Sequence, residues 1–158
     1  MPSVPDPHFV ALIDAMPLVS VDLVMIRNGC EVLVGMRTNR PAQGCWFVPG
    51  GRILKDEPIA RARERIIRRE LGPQVPVDGW ALIGGYDHFY PDNFAGVPGV
   101  STHYVVLAHR LDVAGNGPPL EADAQHERLV WMPIDAALAD PMVHENTKVY
   151  VRTSVARR

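Results

Sequence analysis

Residues 46–72, WFVPGGRILKDEPIARARERIIRRELG, carry the clearest structural signals of the chain. The segment opens with three apolar residues, breaks at Pro49-Gly50-Gly51, and continues with the period of an amphipathic helix. Asp56 is the expected N-cap of that helix, and Glu57-Pro58 falls in its first turn, where proline loses no intrahelical hydrogen bond. Gly72-Pro73 is expected to end the helix, because glycine takes the left-handed C-cap conformation and proline cannot continue a helix.

One face of this helix is expected to be buried and to end in a carboxylate. Its members, at steps of three and four, are Ile59, Ala62, Ile66 and Glu70. A buried carboxylate is costly unless something satisfies it, so Glu70 needs a partner. The residues leave two alternatives open. One is an ion pair with Arg65 or Arg69, and the other is a hard cation held against the glycine turn, where main-chain groups can approach an ion or a phosphate.

Two arginines flank the glycine turn in the chain. Arg37 follows an expected β-hairpin whose strands, Leu18–Arg27 and Cys30–Met36, are joined at Asn28-Gly29. Arg52 follows the turn directly. A planar guanidinium suits bidentate binding of phosphate, and the plain alternative is that both side chains are solvated.

Asp22 interrupts the otherwise apolar alternation of the first strand. It is either a strand-end carboxylate bonded to nearby backbone amides or a hydrogen-bond acceptor for a ligand. His88 and Tyr104, on two later expected strands, are weaker candidates for the walls of the same site.

The composition narrows the function classes. The chain has 158 residues, 47% of them hydrophobic, so residues 1–158 are expected to form one domain with its own core. A net charge of −2 gives no reason to expect nucleic acid. The arginines of the helix surround it, and the pairs Glu57–Arg61 and Glu64–Arg68 are expected to neutralise part of their charge.

The location of the protein is predicted to be cytoplasmic. The N-terminus has no basic region followed by an apolar one, and no apolar run approaches the ~18 residues of a membrane span. Cys30 and Cys45 have no metal-type spacing and are expected to be free thiols.

These residues resemble the signature of the Nudix hydrolases, Gly, five residues, Glu, seven residues, Arg-Glu-apolar-x-Glu-Glu-x-Gly. The matching positions are Gly51, Glu57, Arg65, Ile67, Glu70 and Gly72. Ile66 and Arg69 stand where the family usually has glutamates. The resemblance is to the GDP-mannose mannosyl hydrolase branch, and it extends over nearly the whole chain. The similar segments are PLVSVD at 17–22, RTNRPAQG at 37–44, WFVPGGR at 46–52, DHFYPDNFAG at 87–96, THYVVL at 102–107, and Gln125-His126.

The resemblance implies an α/β fold, the Nudix α/β/α sandwich with a mixed β-sheet. It implies hydrolysis of a GDP-sugar, GDP-mannose above others, to GDP and free sugar by attack of water at the anomeric carbon with inversion. The loss of the glutamates at positions 66 and 69 favours this attack over attack at phosphorus. Two alternatives stay open, namely a conventional Nudix pyrophosphatase and an inactive Nudix-fold binding or regulatory module.

The resemblance also implies roles for individual residues. His126, whose ordinary pKa of ~6.5 suits a general base, would activate water, while Arg37 and Arg52 stabilise the leaving diphosphate. Asp22 would contact the guanine nucleotide, with Tyr104 and His88 lining the substrate. One Mg²⁺, or Mn²⁺ in its place, would be held by the Gly50 carbonyl, Glu70 and Gln125. The implied partners are a small nucleotide-sugar substrate and a second copy of the chain in a homodimer, with no nucleic acid and no membrane.

Overall fold

The computed structural model describes residues 6–121 and 126–156, and it describes His126 and Glu127 by their backbone alone. The strands are β1 Leu18–Arg27, β2 Glu31–Arg37, β3 Trp46–Phe47, β4 Gly50–Arg52, β5 Ala81–Tyr90, β6 Thr102–Val113 and β7 His126–Pro133. The helices are α1 Pro7–Ala15, α2 Ile59–Glu70, α3 Ile134–Ala139 and α4 Glu145–Ala156.

The strands form one mixed sheet in the order β3-β2-β1-β6-β5, with β4 paired to β1 and β7 paired to β2. β1 and β6 run parallel, and the other neighbours are antiparallel. The predicted hairpin at Asn28-Gly29 is confirmed, because both residues take positive φ and β1 pairs back onto β2. β1 therefore lies in the middle of the sheet, where it reaches β2, β4 and β6.

The alternation along β1 separates two hydrophobic layers. Val21 and Leu23 belong to a cluster that includes Ala62 and Ile66 of α2 on one face of the sheet. Val24 and Ile26 belong to a second cluster, which includes Tyr150 and Val151 of α4. The predicted α/β/α sandwich with a mixed sheet is confirmed. Since Asp22 lies between Val21 and Leu23 in β1, its side chain points to the α4 face.

The start of α2 differs from the prediction. The helix begins at Ile59, and Pro58 occupies the N-cap without a side-chain cap. Asp56 is not the cap, since it has a φ of 62° in the preceding loop. The carboxylate of Glu57 accepts the Leu54 N–H at 2.9 Å and closes this loop instead. Ile59 is also wrong as a buried residue, because it is 49% exposed at the end of the helix and the contact with the sheet begins at Ala62.

The end of α2 is as predicted, with Leu71 at the C-cap and Gly72 at a φ of 99°. Within residues 6–121 and 126–156, no helix is both long and apolar enough to cross a membrane.

Candidate active site

A cleft of about 1050 Å³ lies where β1, β4, β5 and β6 approach the loop after β2 and the loop after β5. Its volume is at the upper end of the range for small-molecule sites. Six of the nine predicted site residues line it: Asp22, Arg37, Gly50, Arg52, His88 and Tyr104. The fold thus brings together residues that lie more than eighty positions apart in the sequence.

The cleft wall is rich in guanidinium groups. Its arginines are Arg37, Arg40, Arg52, Arg65 and Arg69. Arg37 donates from Nε to the Pro41 carbonyl at 3.0 Å, and the guanidinium of Arg52 lies 4.1 Å from the centre of the Phe9 ring. These contacts hold two guanidinium groups in fixed directions at the cleft, and guanidinium groups held in this way can bind phosphate oxygens.

An ion pair between Glu57 and Arg65 ties the loop after β4 to α2. Nε of Arg65 lies 2.7 Å from Glu57 Oε1, and its Nη2 also donates to the Arg52 carbonyl at 2.9 Å. The hydrogen bond from Arg65, followed by that from the Leu54 N–H, lowers the pKa of Glu57 to about 2. This ion pair, called the clamp below, therefore fixes the backbone that carries Arg52.

The predicted pairs on the surface of α2 are wrong in detail. Glu57 pairs with Arg65 rather than Arg61, because Glu57 lies in the loop before the helix and approaches it from the side. Arg61 pairs with Glu64 at 3.3 Å, while Arg68 donates to backbone carbonyls beyond the end of α2.

A chain of hydrogen bonds leads from α4 to Asp22. The Tyr150 hydroxyl donates to Asp22 Oδ2 at 2.7 Å, and its oxygen lies 2.9 Å from His88 Nε2. His88 Nδ1 lies 3.5 Å from the Tyr90 hydroxyl, to which Asn146 Nδ2 donates at 3.2 Å. Because Tyr150 donates its only proton to Asp22, its oxygen accepts from Nε2–H of His88, and neutral His88 then accepts from the Tyr90 hydroxyl at Nδ1. Asp22 is the final acceptor.

The two titratable ends of this chain are shifted in opposite senses. Burial raises the pKa of Asp22 to about 7, against the hydrogen bond from Tyr150 and the charge of Arg37, which both lower it. Burial, with a smaller effect from His144, lowers the pKa of His88 to about 4. At neutral pH His88 is neutral, and Asp22 is close to half ionised.

Within the described part of the chain, Asp22 is not bonded to nearby backbone amides, which was one of its two predicted alternatives. The carboxylate is buried in the middle of β1 and accepts from a tyrosine side chain, so the interpretation as a strand-end residue bonded to backbone amides is wrong. The partner comes from α4, 128 positions further along the chain.

Gly50 lies directly opposite Asp22 in the β1–β4 register. A Cβ atom at position 50 would collide with Asp22 Oδ1 and would lie 2.7 Å from the Val21 carbonyl oxygen. The absence of a side chain at Gly50 therefore makes room for the Asp22 carboxylate at the floor of the cleft.

Glu70 forms the ion pair that was one of its two predicted alternatives. Nη2 and Nε of Arg69 lie 2.7 and 2.8 Å from Glu70 Oε1. The Glu70 side chain is completely buried, whereas that of Arg69 is 41% exposed and lines the cleft. A Cβ at Gly51 would lie 2.8 Å from Arg69 Nη2, so this guanidinium rests against the glycine turn.

The predicted metal ligands can be tested by their chemistry. The Glu70 carboxylate and the Gly50 carbonyl are hard oxygen donors at the ends of α2 and β4, which suit one Mg²⁺ or Mn²⁺ completed by water and substrate. No three His, Cys, Asp or Glu side chains form a metal-binding group in the part of the chain that the structure describes. The donor set fits a single ion, provided that Arg69 moves away from Glu70.

The remaining two predicted residues are Gln125 and His126. Gln125 lies outside the described residues. His126 is the first residue of β7, and its backbone pairs with that of Arg37 at the end of β2. Position 126 is therefore adjacent to the arginine side of the cleft, and the role of its side chain stays a prediction.

Among the residues at or behind the cleft that were not predicted as site residues are Phe9, Phe94, Asn146 and Tyr150. The rings of Phe9 and Phe94 lie 5.1 Å apart and join α1 to the loop after β5. No local pattern distinguishes Tyr150 from the apolar positions of α4 around it.

Comparison with known proteins agrees with this architecture. The chain is 42% identical over 127 residues to the low-salt glycan biosynthesis protein Agl8 of Haloferax volcanii, a match that covers 80% of this chain and 77% of Agl8. A MutT NUDIX hydrolase from Burkholderia pseudomallei superposes with a TM-score of 0.65 at 27% identity, covering 87% of this chain and 98% of the other.

A bifunctional NMN adenylyltransferase/ADP ribose pyrophosphatase from Francisella tularensis, complexed with AMP and a Mn ion, has the same fold. It gives a TM-score of 0.69 at 19% identity over 90% of this chain, which spans 42% of the length of the Francisella protein. The family model of the NUDIX domain matches residues 16–153. The chain therefore belongs to the Nudix family.

Proposed function

We propose that the protein hydrolyses a nucleoside diphosphate sugar, with GDP-mannose as the favoured substrate, to GDP and free sugar. The observation that carries the proposal is the composition of the cleft. It places several fixed guanidinium groups beside a buried carboxylate, while α2 retains one of the acidic residues of the Nudix signature. The name of Agl8, a glycan biosynthesis protein, supports a substrate that carries a sugar.

The diphosphate would bind to the arginine side of the cleft. Arg37 and Arg52 present guanidinium groups that are held by the Pro41 carbonyl and the Phe9 ring. When bound by Glu70, Gly50 and Gln125, a divalent ion would neutralise further charge on the diphosphate. The two arginines would stabilise the negative charge that develops on the leaving group.

The nucleobase would bind to Asp22. A guanine base offers two neighbouring N–H donors along one edge, and an ionised carboxylate accepts such a pair well. The Tyr150 hydroxyl donates to Oδ2 from behind, and Oδ1 lies at the glycine floor of the cleft. Each oxygen of an ionised carboxylate has two lone pairs, so both can accept from a bound base. His88 and Tyr104 line the same cavity and would contact the remainder of the substrate.

Water would attack the anomeric carbon of the sugar. Its oxygen forms the new bond to carbon, the bond from carbon to the β-phosphate oxygen breaks, and GDP leaves with the electron pair. His126 would take the proton of the attacking water. The presence of Ile66 and Arg69 at the two glutamate positions supports attack at carbon, because a multi-metal attack on phosphorus would use those carboxylates.

Two other functions remain as alternatives. A conventional Nudix pyrophosphatase would break a bond at phosphorus, as the name of the Francisella protein describes for ADP-ribose. An inactive binding module is favoured by one observation, the guanidinium of Arg69 on the carboxylate that would hold the metal.

The test is product identification after incubation with GDP-mannose, GDP-glucose, GDP-fucose, UDP-glucose and ADP-ribose in the presence of Mg²⁺. We expect GDP and free mannose from GDP-mannose. GMP and mannose 1-phosphate would instead identify a pyrophosphatase, and binding without turnover of any substrate would identify a binding module. R37A should abolish turnover, whereas R110A, whose side chain pairs with Asp112 outside the cleft, serves as the matched control.

A further inference from the structure

We propose that Arg69 is an internal counter-ion that competes with the divalent ion for Glu70, so that metal binding requires the Arg69 guanidinium to leave the Glu70 carboxylate. The inference rests on the proposed metal site at Glu70. It assigns a role to a residue that stands where the family signature has a glutamate.

The Arg69 side chain reaches the residue that follows it directly in the helix. Consecutive residues of an α-helix point about 100° apart and do not face each other. Arg69 nevertheless bends around its own helix, and both Nε and Nη2 lie within 2.8 Å of a single oxygen of Glu70. Two short contacts to one oxygen show that the guanidinium is placed on this carboxylate by charge rather than by the helix geometry.

The two partners of the ion pair differ in burial. Glu70 is completely buried, so the loss of all positive charge near it would be strongly unfavourable. The side chain of Arg69 is 41% exposed, so it can leave without unpacking the core. The guanidinium also rests against Gly51, which has no side chain that could hold it in place. Glu70 is thus held in place, and Arg69 is the partner that can exchange.

Charge repulsion prevents a divalent ion and Arg69 from sharing the Glu70 carboxylate. A divalent ion on the Glu70 carboxylate and a guanidinium on the same carboxylate repel each other at close range. The side chain released from Glu70 already lines the cleft together with Arg37 and Arg52. There it would meet the diphosphate with a planar fork of donors. Metal binding and the release of Arg69 are therefore coupled, and the coupling raises the metal concentration that the site requires.

Direct titration with Mn²⁺, followed by the electron paramagnetic resonance signal of the free ion, tests the proposal without measuring activity. The proteins to compare are the wild type, R69A and R68A. R68A removes the same charge from the same helix, but Arg68 donates to the carbonyls of Pro73 and Val75. We expect R69A to bind Mn²⁺ at least about tenfold more tightly than the wild type, and R68A to bind it like the wild type.

The E70Q variant separates the proposed competition by Arg69 from the proposed metal site at Glu70. Mn²⁺ binding that depends on Glu70 but is equally tight in R69A and wild type would overturn the competition and leave the proposed metal site standing. No Glu70-dependent binding in any variant would overturn the metal site and the competition with it. If R69A does not fold, R69Q keeps hydrogen-bond donors without the charge. Its melting temperature should then rise more with added Mn²⁺ than that of the wild type, and an equal rise would contradict the proposal.

Discussion

The hydroxyl of Tyr150 donates to Asp22 at 2.7 Å and joins the last helix to the first strand beneath the cleft. Burial and the nearby Asp22 raise the pKa of Tyr150 far above its usual value, so its hydroxyl keeps its proton and acts as a donor. The same oxygen accepts from neutral His88 at 2.9 Å. One residue outside the cleft therefore orients two residues that line it.

Loss of the Tyr150 hydroxyl should weaken binding of a guanine nucleotide. In Y150F the carboxylate loses the hydrogen bond that lowers its pKa, so less of Asp22 is ionised at neutral pH. The hydrogen bond favours the ionised form of Asp22 by about 1.5–3 kcal/mol, so without it the ionised fraction at pH 7, and with it the affinity for GDP, should fall about tenfold or more. Calorimetric titration with GDP at pH 7 measures the effect. An unchanged affinity would show that Asp22 does not depend on Tyr150.

Binding of GDP should strengthen as pH rises through the pKa of Asp22. Because burial raises that pKa to about 7, Asp22 is mostly protonated at pH 6 and mostly ionised at pH 8. Only the ionised form accepts both N–H donors of a guanine edge. Titrations at pH 6 and pH 8 should show tighter binding at the higher pH in the wild type. In D22N this part of the pH dependence should vanish, whereas the contribution from ionisation of the phosphates remains.

The pH dependence of stability should reveal Asp22 and His88 as opposing terms. Folded Asp22 keeps a proton that the unfolded chain has lost, so its contribution to the unfolding free energy falls as pH rises from about 4 to about 7. Folded His88 lacks a proton that the unfolded chain binds, so its contribution rises between about pH 4 and pH 6.5. The two slopes, each at most about 1.4 kcal/mol per pH unit, offset one another in the wild type.

Single variants should separate these slopes. The unfolding free energy of D22N should rise relative to the wild type from pH 4.5 to pH 6.5, because the term from His88 is then unopposed. That of H88Q should fall over the same range. Chemical denaturation at several pH values measures both, and parallel curves for the two variants would contradict the assigned pKa shifts.

Several features of the fold follow from local sequence patterns, and the misses have physical reasons. The hairpin at Asn28-Gly29 and the helix end at Gly72 depend on backbone conformations that few residues adopt, and both are where the sequence places them. The Asp56 cap is wrong because Glu57 reaches across the loop to Arg65, and this tertiary ion pair outweighs local capping preference. Tyr150 could not be found, since its contact with Asp22 depends on how α4 packs on the sheet.

The ion pair between Glu57 and Arg65 should contribute to substrate binding through its position beside the cleft and not merely through its charge. In E57Q the guanidinium of Arg65 loses its charged partner. Its hydrogen bond to the Arg52 carbonyl is then held less firmly, so the arginine side of the cleft becomes looser. We expect a higher KM for the nucleotide sugar and a lower melting temperature. E64Q is the matched control, because the exposed Arg61–Glu64 pair lies away from the cleft and contributes little. Equal effects of the two substitutions would remove the special role of the clamp.

Hydrolysis in ¹⁸O-water should place the label in the sugar and leave GDP unlabelled. The cleft offers guanidinium groups for a departing diphosphate, while α2 carries Ile66 packed in the core and Arg69 in place of two carboxylates. Such a site stabilises a leaving group better than it assembles several metal ions around phosphorus. Direct displacement inverts the anomeric carbon, so an α-linked mannosyl donor should yield β-mannose first, as detected by proton NMR before mutarotation. Label in a phosphate group would instead require attack at phosphorus, and α-mannose as the first product would require a second displacement.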